Sequence, residues 1–101
     1  MTPDSFPTYE DFAGREGDAI DVGGPGVDGS VALTLTEVEA WDAPWQPGGR
    51  QPFTLHLTGP ADVVLAQGSY RFEHPSVGVV ELFMVPLGPG PDGFRYEVIL
   101  T

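Results

Sequence analysis

The pattern of apolar positions alternates with period two along most of the chain. Ser30 to Val38 sets Val31, Leu33 and Leu35 on one face and Ala32, Thr34 and Thr36 on the other. Pro52 to Thr58 repeats this, with Phe53, Leu55 and Leu57 opposed by Thr54, His56 and Thr58. Such alternation predicts half-buried antiparallel strands, because successive side chains of a strand point to opposite faces. Asp18 to Val22 predicts a short first strand, and Asp62 to Ala66 an apolar crossover after the stop at Gly59-Pro60.

The strongest local instruction is Gln67 to Pro86. Ser69–His74 and Val79–Val85 are β-prone runs joined by Pro75-Ser76-Val77-Gly78. Proline presets the turn and glycine accepts its left-handed position, so the stretch predicts a hairpin. Setting Phe72 against Val80 and Tyr70 against Leu82 builds an apolar face and puts Arg71 opposite Glu81. A one-residue slip spoils both faces. Phe94 to Leu100 predicts the last strand, with Phe94, Tyr96, Val98 and Leu100 on one side. Pairing Leu87 with Phe94 would place Val85 against Tyr96 and Phe83 against Val98.

The Val79–Val85 run is apolar on both faces: Val80, Leu82 and Met84 on one, Val79, Phe83 and Val85 on the other. That predicts a strand between two layers, or one covered by another subunit. The expected fold is all-β, a small antiparallel sandwich or partly open barrel of about six strands joined by meander hairpins. One domain is expected over residues 18–101, preceded by an acidic, aromatic arm at 1–17 carrying Phe6, Tyr9 and Phe12. Thr8-Tyr9-Glu10-Asp11-Phe12 predicts one helical turn with Thr8 as N-cap, stopped by Gly14 and Gly17. The arm is expected to dock, on its own sheet or on a neighbour.

Charge narrows the partners. The net charge is −11, with fifteen acids, four arginines and no lysine. Residues 1–42 hold ten acids against Arg15 alone, a local charge of −9; the remainder carries −2. Phosphate backbones and anionic membranes would be repelled, so nucleic-acid binding and membrane insertion are not expected. No cysteine is present, which removes disulfides and thiolate zinc sites. The N-terminus has no signal-peptide pattern and no window has the length of a membrane span, so synthesis in the cytoplasm is expected.

Resemblance adds to this reading. Pro52-Phe53-Thr54-Leu55 leads to Gly59-Pro60, and Leu65-x-Gln67-Gly68-x-Tyr70-x-Phe72-x-His74-Pro75-x-Val77-Gly78 follows. Leu82-Phe83-x-Val85-Pro86, Tyr96-Glu97 and the upstream Leu33-x-Leu35-x-Glu37-Val38 complete the set. Residues 30–101 so read are similar to a family of short, uncharacterised bacterial domains. The family usually has leucine where this chain has Phe72 and Val77, and lacks the Gly23–Gly29 loop. Such domains are often encoded beside phage-tail-collar-like proteins, which implies a role in a tail-like or fibrous extracellular particle. No activity is established for the family, so the resemblance supplies no catalytic residue.

Candidate chemistry is sparse. Gly23-Gly24-Pro25-Gly26-Val27-Asp28 matches the start of a calcium-binding nonapeptide, but it occurs once and Ser30 stands where an apolar residue belongs. A connecting loop is the expected reading, with calcium ligation by Asp18, Asp21 and Asp28 the alternative. His56 and His74 lack metal-ligand spacing, and His74 is expected to fix its turn by hydrogen bonding. Glu37 and Glu39 share one strand face and are expected to be solvated. Trp41 and Trp45, with Asp42, Gln46 and Arg50, suit a lid over the core, a protein interface or a sugar platform.

The expected function is a non-enzymatic structural or interaction module, a subunit or adaptor of a tail-like or fibrous assembly; a small calcium- or carbohydrate-binding module is the alternative. No catalytic residue, cofactor or metal site is expected. The partner is expected to be a protein or a second copy, reached through Phe6, Tyr9, Phe12, Trp41, Trp45, Phe83 and Val85.

Overall fold

The computed structural model describes residues 8–24, 27, 29–41 and 52–100. It contains a short helix, α1 (Tyr9–Phe12), and six strands: β1 (Ala19–Gly23), β2 (Val31–Ala40), β3 (Phe53–Gly59), β4 (Gly68–His74), β5 (Gly78–Gly90) and β6 (Gly93–Leu100). All pairings are antiparallel, and the strands close into a barrel in the ring order β1-β2-β3-β6-β5-β4. The expected all-β class with six strands is therefore present, with the barrel closed rather than partly open. Closure leaves the ring without a free sheet edge, the standing hazard of small antiparallel sheets.

The order departs from a plain meander at one point. β3 pairs with β6, and β4 with β1 and β5, so the connection at residues 60–67 passes across one end of the barrel. Two long strands also change partners along their length. β2 meets β1 through Val31–Thr34 and β3 through Thr34–Ala40. β5 meets β4 through Gly78–Met84 and β6 through Val85–Gly90. β2 and β5 thus act as corners between a β1/β4 layer and a β3/β6 layer, which gives the barrel its sandwich-like character. Each corner strand carries a register shift, between Leu35 and Glu37 and between Pro86 and Gly88. Bulges of this kind let one strand bend from one layer into the other.

The central hairpin has the predicted register: Phe72 faces Val80, Tyr70 faces Leu82 and Arg71 faces Glu81. Gly78 has φ +94°, the left-handed position the turn requires. The C-terminal hairpin differs from expectation by one residue before the bulge and by two beyond it, where Pro89, not Leu87, meets Phe94. Pro86, not Val85, meets Tyr96, and Val85 meets Glu97. Proline has no N–H to give to the ladder, and the chain bulges at Leu87 directly after it. Gly93 (φ +140°) reopens the strand where a Cβ would run into the carbonyl oxygen of Gly59.

The interior is one cluster drawn from every strand: Ile20, Val22, Leu33, Leu35, Phe53, Leu55, Leu57, Tyr70, Phe72, Leu82, Met84, Tyr96, Val98 and Leu100, with Phe12 and Leu65 added from outside the sheet. Leu65 and Phe12 come from opposite ends. At one end the 60–67 connection is tied down by Tyr96, whose hydroxyl accepts from the Leu65 N–H (3.0 Å) and donates to the Val63 carbonyl (3.2 Å). Tyr70 adds a bond from its hydroxyl to the Ala66 carbonyl at 2.6 Å. At the other end α1 packs on Phe53. Phe12 lies 6.0 Å from its ring and Tyr9 meets it edge-on at 5.9 Å. Thr8 is the N-cap, its N–H donating to the Asp11 carboxylate at 2.8 Å. Among the described residues no helix is long and apolar enough to cross a membrane.

Candidate functional site

Alternation on a closed barrel sends every second side chain outwards, and the outer surface is where any expected interface residue would have to lie. On β5 the inner residues Leu82 and Met84 are buried, whereas Phe83 is 51% and Val79 57% exposed, with Val85 half-buried. Among the described residues no second layer covers this outer face, so of the two expectations for this strand, a second layer of its own fold is not seen there and cover by another subunit is left. Leu87 on β5 and Ile99 on β6 extend the exposed apolar surface, at 41% and 51%. Val85 faces Glu97 across the ladder, and Phe83 and Ile99 are the next outward residues on the two strands.

Other expected interface residues are placed differently. Phe12 is 2% exposed and belongs to the core of its own chain, so it presents no interface. Tyr9 is half-buried against the same cluster. The arm's helix therefore docks on its own barrel: an apolar residue at the open end of a small barrel finds Phe53 a few ångströms away. Trp41 is exposed on one side, and its indole N–H donates to the Thr54 hydroxyl at 2.8 Å. Thr54 faces outward between inward-pointing Phe53 and Leu55, yet it is buried. Trp41 consequently lies along the outside of the barrel wall rather than as a lid over the core. Phe6 and Trp45 lie outside the described residues, as do Asp42, Gln46 and Arg50.

The two histidines have defined partners. His74 points inward and is buried at the end of β4. Its Nδ1 accepts from the N–H groups of Ser76 (3.0 Å) and Val77 (3.3 Å), and its Nε2 lies 2.9 Å from Asp18 Oδ2. With Nδ1 accepting, the ring proton is assigned to Nε2, which donates to Asp18. One side chain thus closes the β4–β5 turn and ties it to the residue before β1, the turn-fixing role its position beside Pro75 suggests. His56 is outward-facing, with Nε2 3.0 Å from Glu39 Oε1, an exposed pair of small energetic weight. Glu37 and Glu39 are both exposed on β2, as expected.

The surface depressions are open and shallow. A groove of about 450 Å³ runs between Ala32, Thr34 and Thr36 on β2 and Thr58, Gly59 and Pro60, with Asp92 at its rim. A second, of about 420 Å³, lies over Ser69, Arg71, Val79, Val80 and Glu81. Among the described residues no three acidic or histidine side chains cluster as for a metal ion. Pro25, Gly26 and Asp28 of the Gly23–Asp28 loop fall outside the described residues; Gly23 ends β1 and Val27 packs against the core.

Among the described residues, one cross-strand pairing brings like charges together. Asp21 on β1 is directly opposite Glu73 on β4, both exposed. The sequence did not point to this pair, because it arises only when the barrel closes β1 onto β4.

The fold and surface define a closed, six-stranded antiparallel barrel, plugged at both ends and bearing an apolar outer patch on β5 and β6. The chain belongs to the domain-of-unknown-function family DUF6916, whose model matches residues 7–100. Neither curated proteins nor solved structures gave a match.

Proposed function

We propose that this domain is a non-enzymatic interaction module, a subunit or adaptor of a larger protein assembly, working through the outer face of β5 and β6. The observation that carries this is the exposure of Val79, Phe83, Leu87 and Ile99 on adjoining strands of a barrel whose interior is otherwise fully packed. Isolated exposed apolar residues are ordinary on protein surfaces, but adjoining large ones on a rigid sheet mark contact sites. Burying a Phe or Ile side chain against a partner contributes about 1.5–3 kcal/mol. A closed barrel supplies the rigid backbone on which such a patch keeps its shape, so little ordering cost accompanies binding. The similarity to domains encoded beside phage-tail-collar-like proteins supports a tail-like or fibrous particle as the setting.

The test is site-specific photo-crosslinking in cells that make the protein. A photoreactive residue at position 83 or 99 is expected to give a discrete adduct, while the same residue at 21 or 37, on β1 and β2, gives none. Adducts from all four positions alike, or from none, would overturn the proposal.

A further inference from the structure

We infer that the occupant of the β5–β6 face is a second copy of this chain, joined face to face about a two-fold axis. The inference rests on the interaction reading above and names the partner. Two observations carry it, the placement of charge around the ring and the balance of charge on the patch itself.

A chain of net charge −11 resists its own approach, so self-association is open only through a face that keeps the acids apart. The ring order sets that face. In β1-β2-β3-β6-β5-β4, β6 lies across the barrel from β1, and β5 across from β2. β1 and β2 carry Asp21, Glu37 and Glu39 outward with no cation, and Asp18 stands just before β1. Six more of the acids fall within residues 1–42, among them Glu10, Asp11 and Glu16 around α1. A contact through β5 and β6 leaves both acidic sides pointing away from each other. The shortest dimension of the molecule is 22 Å. Charges on the far sides of two such bodies are separated by several Debye lengths, each about 8 Å at physiological salt.

The patch is close to neutral. Outward charges on β5 and β6 are Glu81, Arg95 and Glu97, and across the ladder on β4 stand Arg71, opposite Glu81, and Glu73, opposite Val79. Two of the four arginines in the chain are therefore at this face against three acids, a local charge of −1. A two-fold contact presents the same surface twice and must be self-complementary. An apolar centre rimmed by both signs satisfies that condition; the uniformly acidic β1–β2 side does not. The face commits few residues, so the dimer is expected to be weak, with dissociation in roughly the micromolar range.

Sedimentation velocity on the full chain tests this, at about 50 mM and about 500 mM salt. The native protein is expected to move from monomer to dimer with concentration, more readily at high salt, where the residual repulsion is screened. Phe83→Glu and, independently, Ile99→Glu should each abolish the dimer, with far-UV circular dichroism and melting temperature unchanged. The second variant guards against a folding defect in the first. A native protein monomeric at its highest soluble concentration in both salts overturns the inference, as does a dimer that survives both substitutions. If self-association fails while crosslinks from position 83 reach a different protein, the interaction reading stands and the second copy falls. If those crosslinks are absent as well, both fall.

Discussion

On the inside, the β1–β2 and β5–β6 sides of the barrel are built alike. Ile20, Val22, Leu33 and Leu35 on one side and Leu82, Met84, Tyr96 and Val98 on the other are all buried in a single cluster. On the outside they part company. β1 and β2 show Asp21, Thr34, Thr36, Glu37 and Glu39 to solvent, while β5 and β6 show Val79, Phe83, Leu87 and Ile99. Stability asks the same thing of both sides, so the inner face carries little information about function. Solubility alone would favour the same polar exterior on both, and the departure on β5–β6 is the observation on which the proposed partner rests.

The sharpest way to break this comparison is to strip adjacent residues of β5. Leu82→Ala should destabilise the fold by about 2–5 kcal/mol, because a buried leucine leaves a cavity. Phe83→Ala, one residue on, should shift it by less than about 0.5 kcal/mol when measured by chemical denaturation of the monomer. Equal losses at both positions would mean the outer face is packed against its own chain. Next in size, Tyr96→Phe removes the hydroxyl that holds Leu65 and Val63, leaving the Leu65 N–H unsatisfied at a cost of about 1–3 kcal/mol. Amide exchange should then quicken at residues 62–66 well before it does in β2. His74→Ala should cost a comparable or somewhat smaller amount, about 1–2 kcal/mol, since it loosens the β4–β5 turn and the tie to Asp18 together. Smallest of all, Glu73→Lys replaces the like-charge pairing with Asp21 by an opposite one. It should stabilise the barrel by about 0.2–1 kcal/mol, less as salt is raised.

These residues also show where the sequence was informative. The β4–β5 register was legible because both faces of the pairing vote together: Phe72 with Val80 inside, Arg71 with Glu81 outside. The β5–β6 register was not, because the apolar run continues through Val85, Pro86 and Leu87 and nothing local marks which of them is the bulge. β3 pairing with β6 was equally hidden, since the alternation in Phe53–Gly59 fits any antiparallel neighbour. Closure of β1 onto β4 decides it, and that long-range pairing leaves no periodic trace. Phe12 read as an interface residue for a related reason: an aromatic in an acidic arm looks free until the open end of the barrel beneath it is known. The surplus of apolar residues on β5 was plain from the alternation, whereas its exposure depended on no other described element reaching that face.

The most direct test of self-association through the β5–β6 face is a dilution series followed by two-dimensional amide NMR on uniformly ¹⁵N-labelled protein. The account predicts concentration-dependent shifts confined to residues 79–87 and 95–99, with 19–22 and 31–40 unmoved. Shifts centred on β1 and β2, or none anywhere across the accessible range of concentration, would contradict it.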